Sequence, residues 1–366
     1  MLSKMFFSKT VALSCAAACL LLVQGADAAP AYNLTDLGPG TATAINDSGQ
    51  IVVNRPNGAF LYSNGVMTAL GTLGGSSSYA TALNDAGQVV GYSWTSGASG
   101  TPREHAFLYS SGVMADLGTL SGAISRGVAI NSGGEVVGES MTSGGGYHAF
   151  LYSNGTMEDL GTLPGTSASG ATGINKNGQV VGWSGTTGGS IYAFLYRNGA
   201  MTNLGTLGGN ASWAYAINDS GQVVGSSSPT ASNALGYAFI DSNGSMTNLG
   251  ALGLGPSVAD AINNSGEAVG YFNGSSPATP FRAFLYSDGT VYDLNNLIPS
   301  NSGWALRYAS GINNLGQIVG WGTNQNGYAD SFLLTPVPEP ATLMVLALGL
   351  AGLGLKRRKN PMQSAA

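Results

Sequence analysis

The residues able to do covalent or acid–base chemistry are few. The 366-residue chain has two histidines, His105 and His148, and two cysteines, Cys15 and Cys19. Both cysteines fall in an N-terminal apolar stretch, which leaves the body of the protein no thiol for a disulfide, a metal site or a nucleophile. The two histidines each precede an Ala-Phe-Leu-Tyr run, as copies of one slot, and do not make a Ser-His-Asp triad or a His-rich metal centre. Their expected role is a polar contact at the surface or between repeats.

Carboxylates are the remaining catalytic option, because paired Asp or Glu residues can cleave glycosidic bonds. Glu104, Glu135, Glu139, Glu158, Asp159, Asp260 and Asp330 stand at strand ends. Asp36, Asp116, Asp159 and Asp293 recur at one repeat position where Asn203 and Asn248 substitute, a pattern that suits turn capping better than proton transfer. Calcium needs six to eight oxygens, and Asn46-Asp47-Ser48-Gly49 supplies one carboxylate. The reading assigns no catalytic residue, no metal and no cofactor. Aromatic side chains are better represented. Trp94, Trp304, Trp213, Tyr147, Tyr79 and Phe281 lie in or beside variable segments rich in Ser, Asn and Thr. Flat rings among neutral hydrogen-bonding groups suit sugar rings, so these six are the candidate ligand-binding residues, with Trp94 and Trp304 foremost.

What positions them is a repeat. Ala-Phe-Leu-Tyr-like runs place Phe60, Phe107, Phe150, Phe194, Phe239, Phe284 and Phe332 at spacings of 43 to 48 residues. An apolar residue before Asn gives the same seven copies at Ile45, Leu83, Ile130, Ile174, Ile217, Ile262 and Ile312. Each copy holds four short runs of Val, Tyr, Phe, Leu and Thr bounded by Gly and Asn, which read as strands. The third and fourth runs are joined by pairs such as Asn64-Gly65, Asn154-Gly155 and Asp288-Gly289, hairpin signals because both turn residues need positive φ. Two hairpins per copy make a four-stranded meander, a propeller blade.

The last copy stops at Pro336 without a fourth strand, while Leu34-Thr35-Asp36-Leu37-Gly38 is a spare one before the first copy. The expected fold is all-β: a seven-bladed β-propeller closed by pairing of its two ends, with an open β-solenoid as the alternative. The first strand of each blade is expected to be innermost. Turns between first and second strands are short and uniform. Loops between second and third strands vary from Val53-Asn54-Arg55-Pro56 in copy one to residues 94–104 and 273–281 in copies two and six. Variation on one face marks the expected working face.

Composition agrees. Gly is 57 of 366, far above the ~7% of ordinary chains, and 8% of residues are charged against the usual ~25%. Residues 30–336 carry 7 basic and 16 acidic residues, a sign that repels phosphate backbones and excludes nucleic acid as a partner.

Both ends read as export signals. Residues 1–29 combine Lys4 and Lys9, an apolar run from Val11 to Val23 and Ala26-Asp27-Ala28, a signal peptide for signal peptidase with the cut expected near Ala28. At the other end, Val337-Pro338-Glu339-Pro340 precedes 15 uncharged residues, Ala341 to Leu355, and then Lys356-Arg357-Arg358-Lys359. Fifteen residues are short for a span, but the basic cluster suits a membrane helix with residues 360–366 as a cytoplasmic tail. Residues 337–359 closely resemble the PEP-CTERM sorting signal of exported bacterial proteins. That resemblance implies recognition of Pro338-Glu339-Pro340 by an exosortase-type membrane enzyme, with Arg357 and Arg358 in the basic cluster of the signal.

The repeat also resembles a family. His148-Ala149-Phe150-Leu151-Tyr152-Ser153-Asn154-Gly155, then Asp159-Leu160-Gly161-Thr162-Leu163 and Gly173-Ile174-Asn175, is similar to the HAF-type extracellular repeat over residues 32 to about 334. The resemblance implies an exported surface protein and brings no catalytic residue with it. The expected function is therefore a non-enzymatic propeller of the cell envelope or extracellular space. It would be anchored at first in the inner membrane, and would bind or organise exopolysaccharide of the envelope or biofilm. A polysaccharide lyase or glycosidase and a ligand-free structural spacer are the alternatives.

Overall fold

The computed structural model describes residues 29–96, 103–186, 188–230, 236–250, 255–273 and 281–338. Ala28, Glu339, Pro340, Arg357, Arg358 and the apolar run 341–355 lie outside them, as do parts of the copy-two and copy-six insertions.

Seven four-stranded antiparallel sheets form a seven-bladed β-propeller. In six of them the strands follow chain order, for example Thr41–Ile45, Ile51–Arg55, Gly58–Ser63 and Val66–Ala69 in the first blade. The seventh is completed by the N-terminal strand Tyr32–Pro39, which pairs with Ala329–Pro336 in the register Leu34 to Leu334 and Asp36 to Phe332. This is the closure expected from the missing last strand, and it gives the seventh sheet its fourth strand.

The turn residues show why the sequence folds this way. Asn64, Ser111, Asn154, Asn198, Asn243 and Asp288 all have φ between 48° and 56°, each followed by a Gly at 76° to 87°. This is the left-handed pair that matches the twist of a tight hairpin. Between the blades, the apolar faces of adjacent sheets meet in seven clusters. The interface of blades two and three is representative, with Val90, Ala106 and Leu117 packed against Ile130, Val136 and Phe150. Small serines tie the blades further. Ser125 and Ser169, both fully buried, accept the backbone N–H of Ala106 and Ala149 on the preceding blade at 2.9 and 2.8 Å.

A second set of bonds runs round the ring. The asparagine after each inner strand donates its Nδ2 to the backbone oxygen of the same asparagine one blade on. The series is Asn46 to Asn84, Asn131, Asn175, Asn218, Asn263, Asn313 and back to Asn46, with every bond between 2.9 and 3.2 Å. Each of these side chains is buried.

Every inner strand also carries a β-bulge. At the bulge the blades share, the residues left out of register are Thr43, Thr81, Val128, Thr172, Tyr215, Asp260 and Ser310. A bulge re-aims a side chain, and these seven line the axial bore.

Candidate functional site

On the variable-loop side of the bulge, two residues before it, the two inner strands of each blade carry one opposed residue pair. In blade order these are Thr41 with Asn54, Tyr79 with Tyr92, Arg126 with Glu139, Gly170 with Trp183, Trp213 with Ser226, Val258 with Tyr271, and Tyr308 with Trp321. Seven of the fourteen positions are Tyr or Trp, and none of the seven is buried.

The rings organise one another. Tyr308 stacks on Trp321 with centroids 4.9 Å apart and planes 16° from parallel, and Tyr271 lies 4.3 Å from Tyr308. Phe281 packs against both tyrosines at 5.6 and 4.9 Å. In blade two Tyr79 stacks on Tyr92 at 5.4 Å, and the Arg126 guanidinium sits 5.5 Å over Tyr92. In blade four the Trp183 indole lies over Gly170, where a Cβ would stand 2.7 Å from Nε1. Glycine is required there for the ring to lie flat on the inner strand.

Several charges at this end are paired. Arg126 bridges Glu104 at 2.6 Å and Glu139 at 3.1 Å. On the outer strands His105 meets Asp116 at 2.8 Å, His148 meets Asp159 at 2.9 Å and Arg282 meets Asp293 at 2.5 Å. Where the third strand carries Tyr192 or Tyr237 instead of His or Arg, the fourth carries Asn203 or Asn248, so the partner changes with the slot. The recurrent carboxylates also accept a backbone N–H two residues on, as Asp36 does from Gly38, Asp116 from Gly118 and Asp159 from Gly161. Asn203 and Asn248 do the same for Gly205 and Gly250.

Asp260 stands apart. It lines the bore, and burial pushes its carboxyl up to about 7. Burial first, and the Asp260 charge next, also raise the phenols of Tyr271 and Tyr308. At the same level the hydroxyls of Thr43, Thr81, Thr172 and Ser310 donate to inner-strand carbonyls of the next blade. On the turn face the asparagine ring frames a polar cavity of about 260 Å³, with Asp47, Asp85, Lys176 and Asp219 at its rim. Among the described residues no three His, Cys, Asp or Glu side chains come together as a metal site.

The structure brings three of the six sequence candidates into this arrangement: Tyr79, Trp213 and Phe281. Trp94 stands one residue before the end of the second strand of blade two, half-buried and opposite Glu104. Tyr147 opens the third strand of blade three, opposite Met141. Trp304 packs against the core of blade seven, edge-on to Phe332 at 6.4 Å, so its ring is engaged in packing. Tyr92, Trp183, Tyr271, Tyr308 and Trp321 were not singled out by the sequence reading. Four of them carry a recognisable mark, since Tyr92, Trp183, Tyr271 and Trp321 directly follow the glycine that closes each Val-Val-Gly, Ala-Val-Gly or Ile-Val-Gly run.

Comparison with known proteins bears on the ends and the fold. Residues 336–359 match the PEP-CTERM protein-sorting motif, which implies export to the cell envelope and processing by an exosortase. Residues 205–326, about a third of the chain, match a family described as "Protein of unknown function (DUF3466)". No curated protein matches the sequence. Among solved structures, a puromycin-hydrolysing peptidase of Mycobacterium tuberculosis is 12% identical, with a TM-score of 0.53 over 84% of this chain and 53% of that one. An acylaminoacyl peptidase of Pyrococcus horikoshii is 9% identical, with a TM-score of 0.47 over 86% and 53%. TolB of Acinetobacter baumannii is 12% identical, with a TM-score of 0.43 over 84% and 80%. The chain spans about half the length of both peptidases. At these identities the likeness to the first is one of fold. Among the described residues no helix is long and apolar enough to cross a membrane.

Proposed function

We propose that this exported propeller is a binding module for extracellular polysaccharide, engaging pyranose rings on the aromatic end of its inner strands and performing no covalent step. The observation that carries this reading is the set of partly exposed, mutually packed rings, Tyr79 stacked on Tyr92, Tyr308 stacked on Trp321 and Tyr271 tilted against Tyr308, on the variable face. Such rings offer flat apolar area with a polar edge, the match for a sugar face and its hydroxyls. The engaged carboxylates support the non-enzymatic part. Glu104 and Glu139 share Arg126, Asp293 holds Arg282, and Asp116 and Asp159 are engaged by His105 and His148. The export signals, and a repeat that resembles the HAF type, suit a role in the envelope or biofilm matrix.

The test is retention of the mature chain on the producing organism's exopolysaccharide and on a glycan panel, beside a Tyr308→Ala/Trp321→Ala variant. Losing two stacking rings, at about 0.5–1.5 kcal/mol each, weakens binding roughly 5- to 150-fold. Retention unchanged in the variant removes the site, and absence of retention on every glycan leaves the structural spacer. Release of new reducing ends or unsaturated sugars would install the lyase or glycosidase in place of the binder.

A further inference from the structure

The closure strand fixes more than the ring. The third strand of each blade runs from the variable face to the turn face, and in blade seven it ends the propeller. Leu334 lies opposite Ile318, which lies opposite Ile312, the last residue before the turn asparagine Asn313. Pro336 packs beside Gly316 of that same turn. The N-terminal strand starts at the same end, with Tyr32 opposite Pro336 and the Val337 N–H donated to the Ala31 oxygen at 2.8 Å. At the other end of these strands Asp330 is opposite Pro39 and Gly322, one residue from Trp321 in the aromatic layer.

We infer that the sorting tail leaves the ring on the face of uniform turns, beside the N-terminal end, so that a propeller held by its tail turns the aromatic face away from the membrane. Length decides this. Four residues, Val337 to Pro340, separate the last strand from the apolar run that begins at Ala341. Fully extended they reach about 14 Å, at roughly 3.5 Å per residue. The closing strand Tyr32–Pro39 has eight residues, so at about 3.3 Å per residue the two faces stand roughly 25 Å apart. The tether is too short for the molecule to roll its variable face onto the bilayer. Two of its four residues are proline, which stiffens it further. The expected signal-peptide cut near Ala28 comes three residues before Ala31, whose oxygen closes the seal at this end. The inference needs the sorting motif and the geometry of the seal; the identity of the ligand does not enter it.

The mature chain from residue 29 has no cysteine, which allows single reporters. Leu315→Cys, in the blade-seven turn and 63% exposed, marks the turn face, and Asn326→Cys, exposed between the second and third strands, marks the variable face. Each full mature chain is bound through its tail to phosphatidylcholine vesicles and labelled with a small fluorophore. Nitroxide-headgroup lipid is then titrated in. The expected result is loss of most of the Leu315→Cys emission, with most of the Asn326→Cys emission kept. Equal quenching, or stronger quenching of Asn326→Cys, overturns the orientation. A chain that fails to sediment with the vesicles overturns the tether on which the orientation rests. Neither readout involves a glycan, so failure here and failure of the polysaccharide reading are separate results.

Discussion

Replacing Asn175 by alanine should destabilise the whole ring, because the side chain is only 3% exposed and makes four hydrogen bonds. Its Nδ2 donates to Asn218 O at 3.0 Å on the next blade and to Gln179 Oε1 at 2.8 Å. Its Oδ1 accepts from the backbone N–H of Asn177 at 3.1 Å and of Gln179 at 3.0 Å. At roughly 1 kcal/mol net per bond, with buried partners left unsatisfied, the loss is about 3–4 kcal/mol. A domain of this size gains about 0.6 kcal/mol per kelvin of unfolding entropy, so the midpoint should fall by roughly 5–6 °C. Calorimetry of Asn175→Ala against the exposed control Thr68→Ala measures it. A drop no larger than the control's refutes the view that the asparagine ring holds neighbouring blades together.

Two further outcomes follow from the charges. Asp260, with its carboxyl raised to about 7 in the folded state, keeps its proton in the fold at pH values where the unfolded chain has lost it. Stability from this group is therefore full at low pH and lost as pH rises between about 4 and 7, by at most ~4 kcal/mol, and less because the bore admits water. Asp260→Asn should match the native protein at pH 4 and exceed it at pH 8 in urea midpoint; an unchanged pH slope contradicts this. Arg282→Ala leaves the Asp293 carboxylate, 4% exposed, without its cation and should cost about 3 kcal/mol. His105→Ala, whose partner Asp116 is 42% exposed, should cost under about 1 kcal/mol. Equal losses in denaturant titrations would show that burial does not set the difference.

Features with a mark in the residues themselves were legible, and those formed only between neighbouring blades were not. The Asn-Gly and Asp-Gly hairpins could be read because a two-residue turn has its cause in its own two residues. Closure could be read because a missing strand at one end had a spare at the other. The asparagine ring could not, since the acceptor of each side chain lies on the next blade, 38 to 50 residues along the chain between neighbouring copies. Nor could the bulges, for Thr43, Val128 and Asp260 share no residue type. The same limit governed the site. Insertions drew attention to Trp94 and Trp304, whereas the aromatic layer is built on regular strand positions, and Trp304 is engaged with Phe332. The serines read as a polar setting for sugars are partly spent elsewhere, as Ser125 and Ser169 hold the preceding blade.

The most direct test of the central claim is hydroxyl-radical footprinting of the mature chain with and without the producing organism's exopolysaccharide, read residue by residue by mass spectrometry. The account predicts protection of Tyr79, Trp183, Trp213, Tyr271 and Trp321, with the turn-face residues Leu315 and Tyr62 unchanged. Protection confined to the turn face, or none on the aromatic layer while polysaccharide is bound, would contradict it.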